Sequence, residues 1–283
     1  MSWQFFVTLS VLFFSVNGLL HKLLMREKNS NPYAQTIVFY GIVGFFALII
    51  SFLRGGFQYQ ITTEQLPYFI LITIVASLAS IFGFKAIQLI EASENSIILS
   101  SSRLWVVLGA FIILKEQFSL DALIGTLVII LGISIAQFRQ KRFTINQGTI
   151  FSLITAFFYA ITEITSFFIL RDFDAASLTV YTCWLPVIAL LIIKPKVYKK
   201  FSFYLKRKNA INITLVSLSD VFGTIFLFLA YQAGRNASQI GPIMATQTII
   251  VVLLGIIFLK EKSNMIQKIT GGLIAVTGTI LLL

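Results

Sequence analysis

The feature that most constrains this chain is a run of long, uninterrupted apolar segments. A helix that crosses a bilayer needs roughly 20 predominantly apolar residues. The 283 residues hold about ten such stretches, at about 3–25, 33–53, 66–90, 94–114, 119–138, 148–170, 176–193, 210–234, 237–259 and 265–283. The breaks between them have physical causes. Asn29-Ser30-Asn31-Pro32 interrupts the chain after the first span, because proline disfavours helix at the preceding residue. Arg54-Gly55-Gly56 ends the second span, and 137–142 separates the fifth from the sixth. Residues 194–209 form the only long polar loop. A membrane β-barrel would need strands of about 10 residues with alternating apolarity. Leu123–Ala136 is continuously apolar, so the expectation is an all-α polytopic membrane protein. The first span lacks a basic leader and a small-residue cleavage site, so it reads as a helix and not a signal peptide.

Composition then separates function classes. Only 12% of residues are charged, where soluble domains carry about 25%. That excludes a soluble enzyme and a disordered chain. The net charge of +11 suggests phosphate binding at first sight, but the chain has too few polar residues to build an exposed basic face. No nucleic-acid partner is expected. One cysteine and one histidine leave no ordinary metal site, so no cofactor or metal is expected.

The sequence repeats itself. Ala92-Ser93 precedes Leu114-Lys115-Glu116 at the same spacing as Ala237-Ser238 precedes Leu259-Lys260-Glu261. Paired glycines follow each, Gly125 and Gly132 in one half, Gly271 and Gly278 in the other. Phe13-Phe14 in the first span resembles Phe157-Phe158 in the sixth. The repeat unit is therefore five spans, with halves at 1–140 and 141–283 forming one membrane domain. An odd unit makes the second half enter the membrane inverted. Inverted repeats recur in transporters, with the site near the midplane where the halves meet.

With these motifs the chain resembles the drug/metabolite transporter superfamily, EamA-type, over nearly its whole length. The carrying features are the two five-span halves and the Lys115-Glu116 and Lys260-Glu261 turns after the fourth span of each half. The family turn often has glycine before the glutamate, and lysine stands here twice. The family often has proline early in the fourth span; Pro242 fits, and the first half has Ile97 instead. The resemblance implies a secondary carrier, often an exporter of amino acids or other small metabolites, with a central cavity between the halves.

Loop charges set orientation, because Lys and Arg accumulate on the cytoplasmic side. Connections after odd-numbered spans hold 16 of the 22 basic residues, and those after even-numbered spans hold 4. The bias predicts extracytoplasmic termini, whereas the better-known family members have them inside. The Phe, Ile and Lys content points to an AT-rich bacterial genome, so the expected location is the bacterial plasma (inner) membrane.

Ionisable residues inside spans are costly and mark functional sites by default. Four occur here: Lys85, Arg103, Glu163 and Asp220. Arg103 lies about eight residues into its span, about 12 Å deep at 1.5 Å per residue. Ser96, Ser100 and Arg103 share one helix face, as do Ser217, Asp220 and Thr224. Thr246-Gln247-Thr248 aligns with Ser101-Ser102-Arg103 in the repeat. The candidate substrate-binding set is Arg103, Glu163, Asp220, Ser100, Trp105, Gln247 and Tyr159. Arg103 suits a carboxylate, which its planar fork can hold with two parallel hydrogen bonds. Glu163 or Asp220 suits an ammonium group or a coupling proton. The competing reading is a structural ion pair of Arg103 with Glu163 or Asp220. Lys85 reads as snorkelling to the interface. His21 reads as a helix contact, and Glu116 and Glu261 as structural groups in turns. Trp3 and Trp184 read as interfacial anchors, and Gly148, Ser152, Ala156 and Ala160 as a close-packing stripe.

The leading function is secondary transport, by export or exchange, of a small zwitterionic or carboxylate-bearing metabolite, most simply an amino acid, through alternating access. Its partners are the substrate, a coupling proton or counter-substrate, and the lipid bilayer; the oligomeric state is not legible. The chain is read as not an enzyme. The alternatives are a membrane-embedded enzyme, for which no reactive motif occurs, and a channel without alternating access.

Overall fold

The computed structural model describes residues 2–27, 29–102, 104–106, 109, 120–139, 142–143, 145–234, 237–261 and 263–281. These residues are almost wholly helical. In chain order come α1 (Trp3–Met25), α2 (Pro32–Leu53), α3 (Leu66–Leu89), α4 (Ala92–Leu99), α5 (Leu120–Gln137), α6 (Gln147–Ile169) and α7 (Ala175–Ile193). After them come a four-residue α8 (Ser202–Leu205), α9 (Arg207–Gly234), α10 (Ala237–Phe258) and α11 (Met265–Leu281). A two-residue antiparallel pair, β1 (Phe138–Arg139) and β2 (Arg142–Phe143), joins α5 to α6. Six of the helices, α1, α2, α3, α6, α7 and α9, are long and apolar enough to cross a membrane; α10 and α11 contribute shorter apolar stretches.

The helix starts follow from local chemistry. Asn31 accepts from Ala34 N at 3.1 Å, and Pro32 opens α2 where no donor is needed. Asn146 caps α6 through Thr149 N at 2.9 Å, and Asp174 caps α7 through Ser177 N at 2.7 Å. α2 stops at Gly55 and Gly56, whose φ of +126° and +122° only glycine adopts without strain.

Helix α1 packs on α9 and α10, α3 on α6 and α7, α2 on α7 and α9, and α5 on α11. Small residues set the closest approaches. A Cβ at Gly132 would lie 2.6 Å from Ala275 N and 2.7 Å from Gly271 O, and one at Gly278 would lie 2.8 Å from Gly125 O. The repeated glycines therefore face each other across α5 and α11, backbone against backbone. The Gly148–Ser152–Ala156–Ala160 stripe is buried, with Gly148 against Ile90 of the α3 end. Trp184 is a packing residue and not an interfacial anchor. It fills the space over Gly44 of α2 and donates Nε1–H to Gly41 O at 3.2 Å.

The polar loop at 194–209 holds more order than its composition suggests. A 3-10 turn at Pro195–Lys200 and α8 fold back so that Val197, Phe203 and Tyr204 are buried, and Tyr204 Oη–H donates to Asn31 O at 3.3 Å. Outward-facing apolar side chains such as Phe52, Leu53 and Ile192 suit a lipid surround.

Candidate functional site

A central cavity of about 380 Å³ lies where α1, α2, α3, α4, α6, α7, α9 and α10 converge. Ligand pockets of this order hold small metabolites. Each contributing helix presents its polar minority inward, because unpaired polar groups facing lipid are expensive. Five sequence-read candidates line it: Ser100, Tyr159, Glu163, Asp220 and Gln247. Trp105 does not; it is 40% exposed, edge-on to Phe157 at 5.0 Å. Arg103 and Glu116 lie outside the described residues, so their placement is not part of this geometry.

Asp220 is clamped from two sides. Asn17 Nδ2 of α1 donates to its Oδ1 at 2.7 Å, and Thr224, one turn further along α9, adds a second hydrogen bond. Glu163 accepts from Tyr231 Oη–H at 2.5 Å, linking α6 to α9. Gln247 donates to Phe14 O at 3.3 Å, and Ser100 spends its hydroxyl on Ile97 O of its own helix at 2.6 Å. Among the described lining residues the formally charged side chains are Glu163 and Asp220. Among all described residues, no three His, Cys, Asp or Glu side chains converge as a metal site would require.

Sequence reasoning missed Asn17, Tyr40, Ser80 and Asn95, which also line the cavity. The signal was present for Asn17: with His21 it makes a strongly polar pair one turn apart in the first span. Asn95 accepts from Ser152 Oγ at 2.6 Å, and Ser80 donates to Tyr40 Oη at 2.5 Å. His21 also lines the cavity; it is buried against Phe39 and Phe84, with Nδ1 3.2 Å from Gln35 Nε2. Among the described residues Lys85 makes no ion pair with the cavity acids. Its ammonium stands 5.3 Å and 5.4 Å from the Phe82 and Phe151 ring centres.

A second polar cluster closes one end of the bundle, where α1, α3 and α10 finish and α4 and α11 begin. Glu261 is 4% exposed, and its carboxylate accepts from Ala92 N at 2.8 Å, Ser93 N at 3.0 Å and Ser93 Oγ at 2.6 Å. It is the N-terminal cap of α4, supplied from across the chain. Lys260 before it has φ +56°, a conformation glycine adopts freely, which explains why glycine suits that turn. Lys268, 1% exposed, pairs with Glu91, which also accepts from Ser263 Oγ at 2.7 Å. Lys22 donates to Ile87 O at 2.6 Å and to Ile90 O. Lys22 and Lys268 are thus buried structural cations and not loop charges. Setting both aside leaves the loop bias at 14 against 4.

The sequence pattern of the EamA-like transporter family matches residues 1–137 and 146–283. The chain belongs to that family. As an EamA-like protein it is an integral, multi-pass, helical membrane protein of a transporter family. An uncharacterized transporter of Methanothermobacter thermautotrophicus is 30% identical over 142 residues, 49% of this chain and 40% of that protein. An uncharacterized transporter of Acidianus ambivalens, described as lying in a sor 3' region, is 25% identical over 65% of this chain and 72% of its own. The match thus spans less than half the length of the first relative. Both relatives are archaeal, so they lend nothing to the bacterial inner-membrane expectation. One solved crystal structure superposes on 99% of this EamA-like chain and 95% of its own, with a TM-score of 0.73 at 14% identity, a likeness of fold.

Proposed function

We propose that this EamA-like protein is a secondary active transporter that exports or exchanges a small zwitterionic metabolite, most simply an amino acid, by alternating access. The observation that carries the reading is the central cavity, which takes polar groups from α1 and α4 on one side and α6, α9 and α10 on the other. Such a site serves both faces if the halves at 1–140 and 141–283 rock about it. The helix contacts are consistent with two repeated halves. Exchanging α1 with α6, α2 with α7, α3 with α9, α4 with α10 and α5 with α11 turns each main contact into another observed one. The α1–α9 pair becomes α3–α6, α1–α10 becomes α4–α6, and α2–α9 becomes α3–α7. Arg103, one polar residue deep in the fourth span, is assigned the substrate carboxylate on the chemistry of its guanidinium.

Counterflow in proteoliposomes tests the reading. Vesicles loaded with unlabelled substrate are expected to accumulate labelled substrate transiently and saturably. Uptake that stays linear with concentration and shows no counterflow would favour a channel instead. A cytoplasm-dependent reporter fused after Leu283 tests orientation: silence agrees with the loop bias, and activity contradicts it.

A further inference from the structure

The described cavity lining contains one place where hydrogen-bond acceptors outnumber their donors. Asn17 is 7% exposed, and its Nδ2 is committed to Asp220 at 2.7 Å. That bond fixes which way the amide points. Its Oδ1 is left buried with no hydrogen-bond partner among the described groups. Asn17 Oδ1 and the Asp220 carboxylate are therefore two acceptors held together, one of them charged, in a wall they share. A carboxylate and an amide oxygen accept hydrogen bonds and cannot donate them. A ligand group that satisfies both brings at least two hydrogen-bond donors, and one that also carries a positive charge, as an ammonium does, balances the carboxylate.

The surroundings narrow the class further. The described lining carries no Lys or Arg, so a cation entering this part of the cavity meets no like charge there. Both described acids accept side-chain hydrogen bonds, Glu163 from Tyr231 and Asp220 from Asn17; what sets Asp220 apart is the unpartnered Asn17 oxygen beside it. Phe14, Tyr40 and Tyr159 line the same cavity, and aromatic rings can attract a cation that meets their faces. An unpaired buried acceptor costs free energy unless a ligand completes it.

We infer that Asn17 and Asp220 form the amine subsite of the transporter, binding a protonated primary or secondary amine of the substrate through the Asp220 carboxylate and the Asn17 amide oxygen. The inference rests on the transport reading above and deepens it. It assigns the ammonium to Asp220 and not to Glu163, and it adds Asn17 as a specificity-determining residue.

The full chain in proteoliposomes provides the test. Counterflow is measured with the labelled proteinogenic amino acids, each competed by its 2-hydroxy acid, in which hydroxyl replaces amine, and by its decarboxylated amine. The amine is expected to compete. The 2-hydroxy acid is expected to compete at least about 30-fold more weakly, the value of a charge-assisted pair. Asp220→Asn is expected to raise half-saturation by about 30-fold or more, and Asn17→Leu by about 10-fold. The ligand series on the unaltered protein decides the matter even where a variant folds poorly. Equal competition by the 2-hydroxy acid overturns the inference and leaves transport standing. So does an Asp220→Asn protein that exchanges with unchanged half-saturation and loses only accumulation against a pH gradient, which would make Asp220 the coupling-proton site. Absence of counterflow for every compound in the series overturns the transport reading, and the inference falls with it.

Discussion

The closed end of the bundle and the centre of its cavity use the same residue types to opposite ends. At the closed end Glu261 meets three donors, Lys268 meets Glu91, and Lys22 meets two carbonyls that finish α3. These charges are consumed by structure. In the centre, Asp220 keeps a neighbouring acceptor that nothing described satisfies. Buried charge alone therefore does not mark a site in this protein; the proposed amine subsite rests on an unmet acceptor that stands beside a charge in the cavity wall. The difference also has a mechanical side. Glu261 and Lys268, late in the sequence, hold Ala92 and Glu91, so buried polar contacts join distant parts of the chain at that end.

Substitutions that separate stability from transport sharpen this contrast. The largest loss of stability is expected for Glu261→Ala, which strands the three buried donors at the start of α4; about 3–5 kcal/mol would appear as a lowered unfolding midpoint in detergent. An unchanged midpoint would mean that the end is not held by this cap. Lys268→Met follows, at about 1–3 kcal/mol, because the Glu91 side chain is 30% exposed and its other oxygen keeps the bond from Ser263. Asp220→Asn inverts the pattern: with its shape kept, stability is expected to stay within about 1 kcal/mol while half-saturation for transport rises about 30-fold or more. A large drop in the unfolding midpoint would instead make the Asn17–Asp220 contact a helix clamp. The smallest effect belongs to Lys208→Ala. Its 3.3 Å pair with Glu27 is well exposed, so no measurable shift in the midpoint is expected.

Much of this architecture was legible in the order of residues. Long apolar runs located the helices, Asn31-Pro32 and Gly55-Gly56 located their ends, and the repeated glycines anticipated the α5–α11 contact. Glu261 could be read as structural, because a carboxylate in a turn at a helix end has little else to do. Its partner could not. Ala92 and Ser93 lie in the other half, and only the folded packing brings a turn from one half onto a helix start in the other. Asn17 escaped notice for a related reason. A single amide in an apolar span is ambiguous until the helix facing it is known, and α9 arrives late in the chain. Trp105 shows the reverse error. Depth along a helix was legible, but the direction it faces was not, and its ring packs on Phe157 outside the cavity lining.

The most direct test of a cavity served in turn by both faces uses the chain's single cysteine. Cys183 lines the cavity and is only 5% exposed, so it reports opening without any added residue. Membrane-impermeant thiol reagents are applied to one face of the vesicles and then to the other, with Cys183→Ser as the blank. Alternating access predicts modification from both faces and protection by a transported substrate. Modification from one face alone, with no protection by substrate, would contradict it.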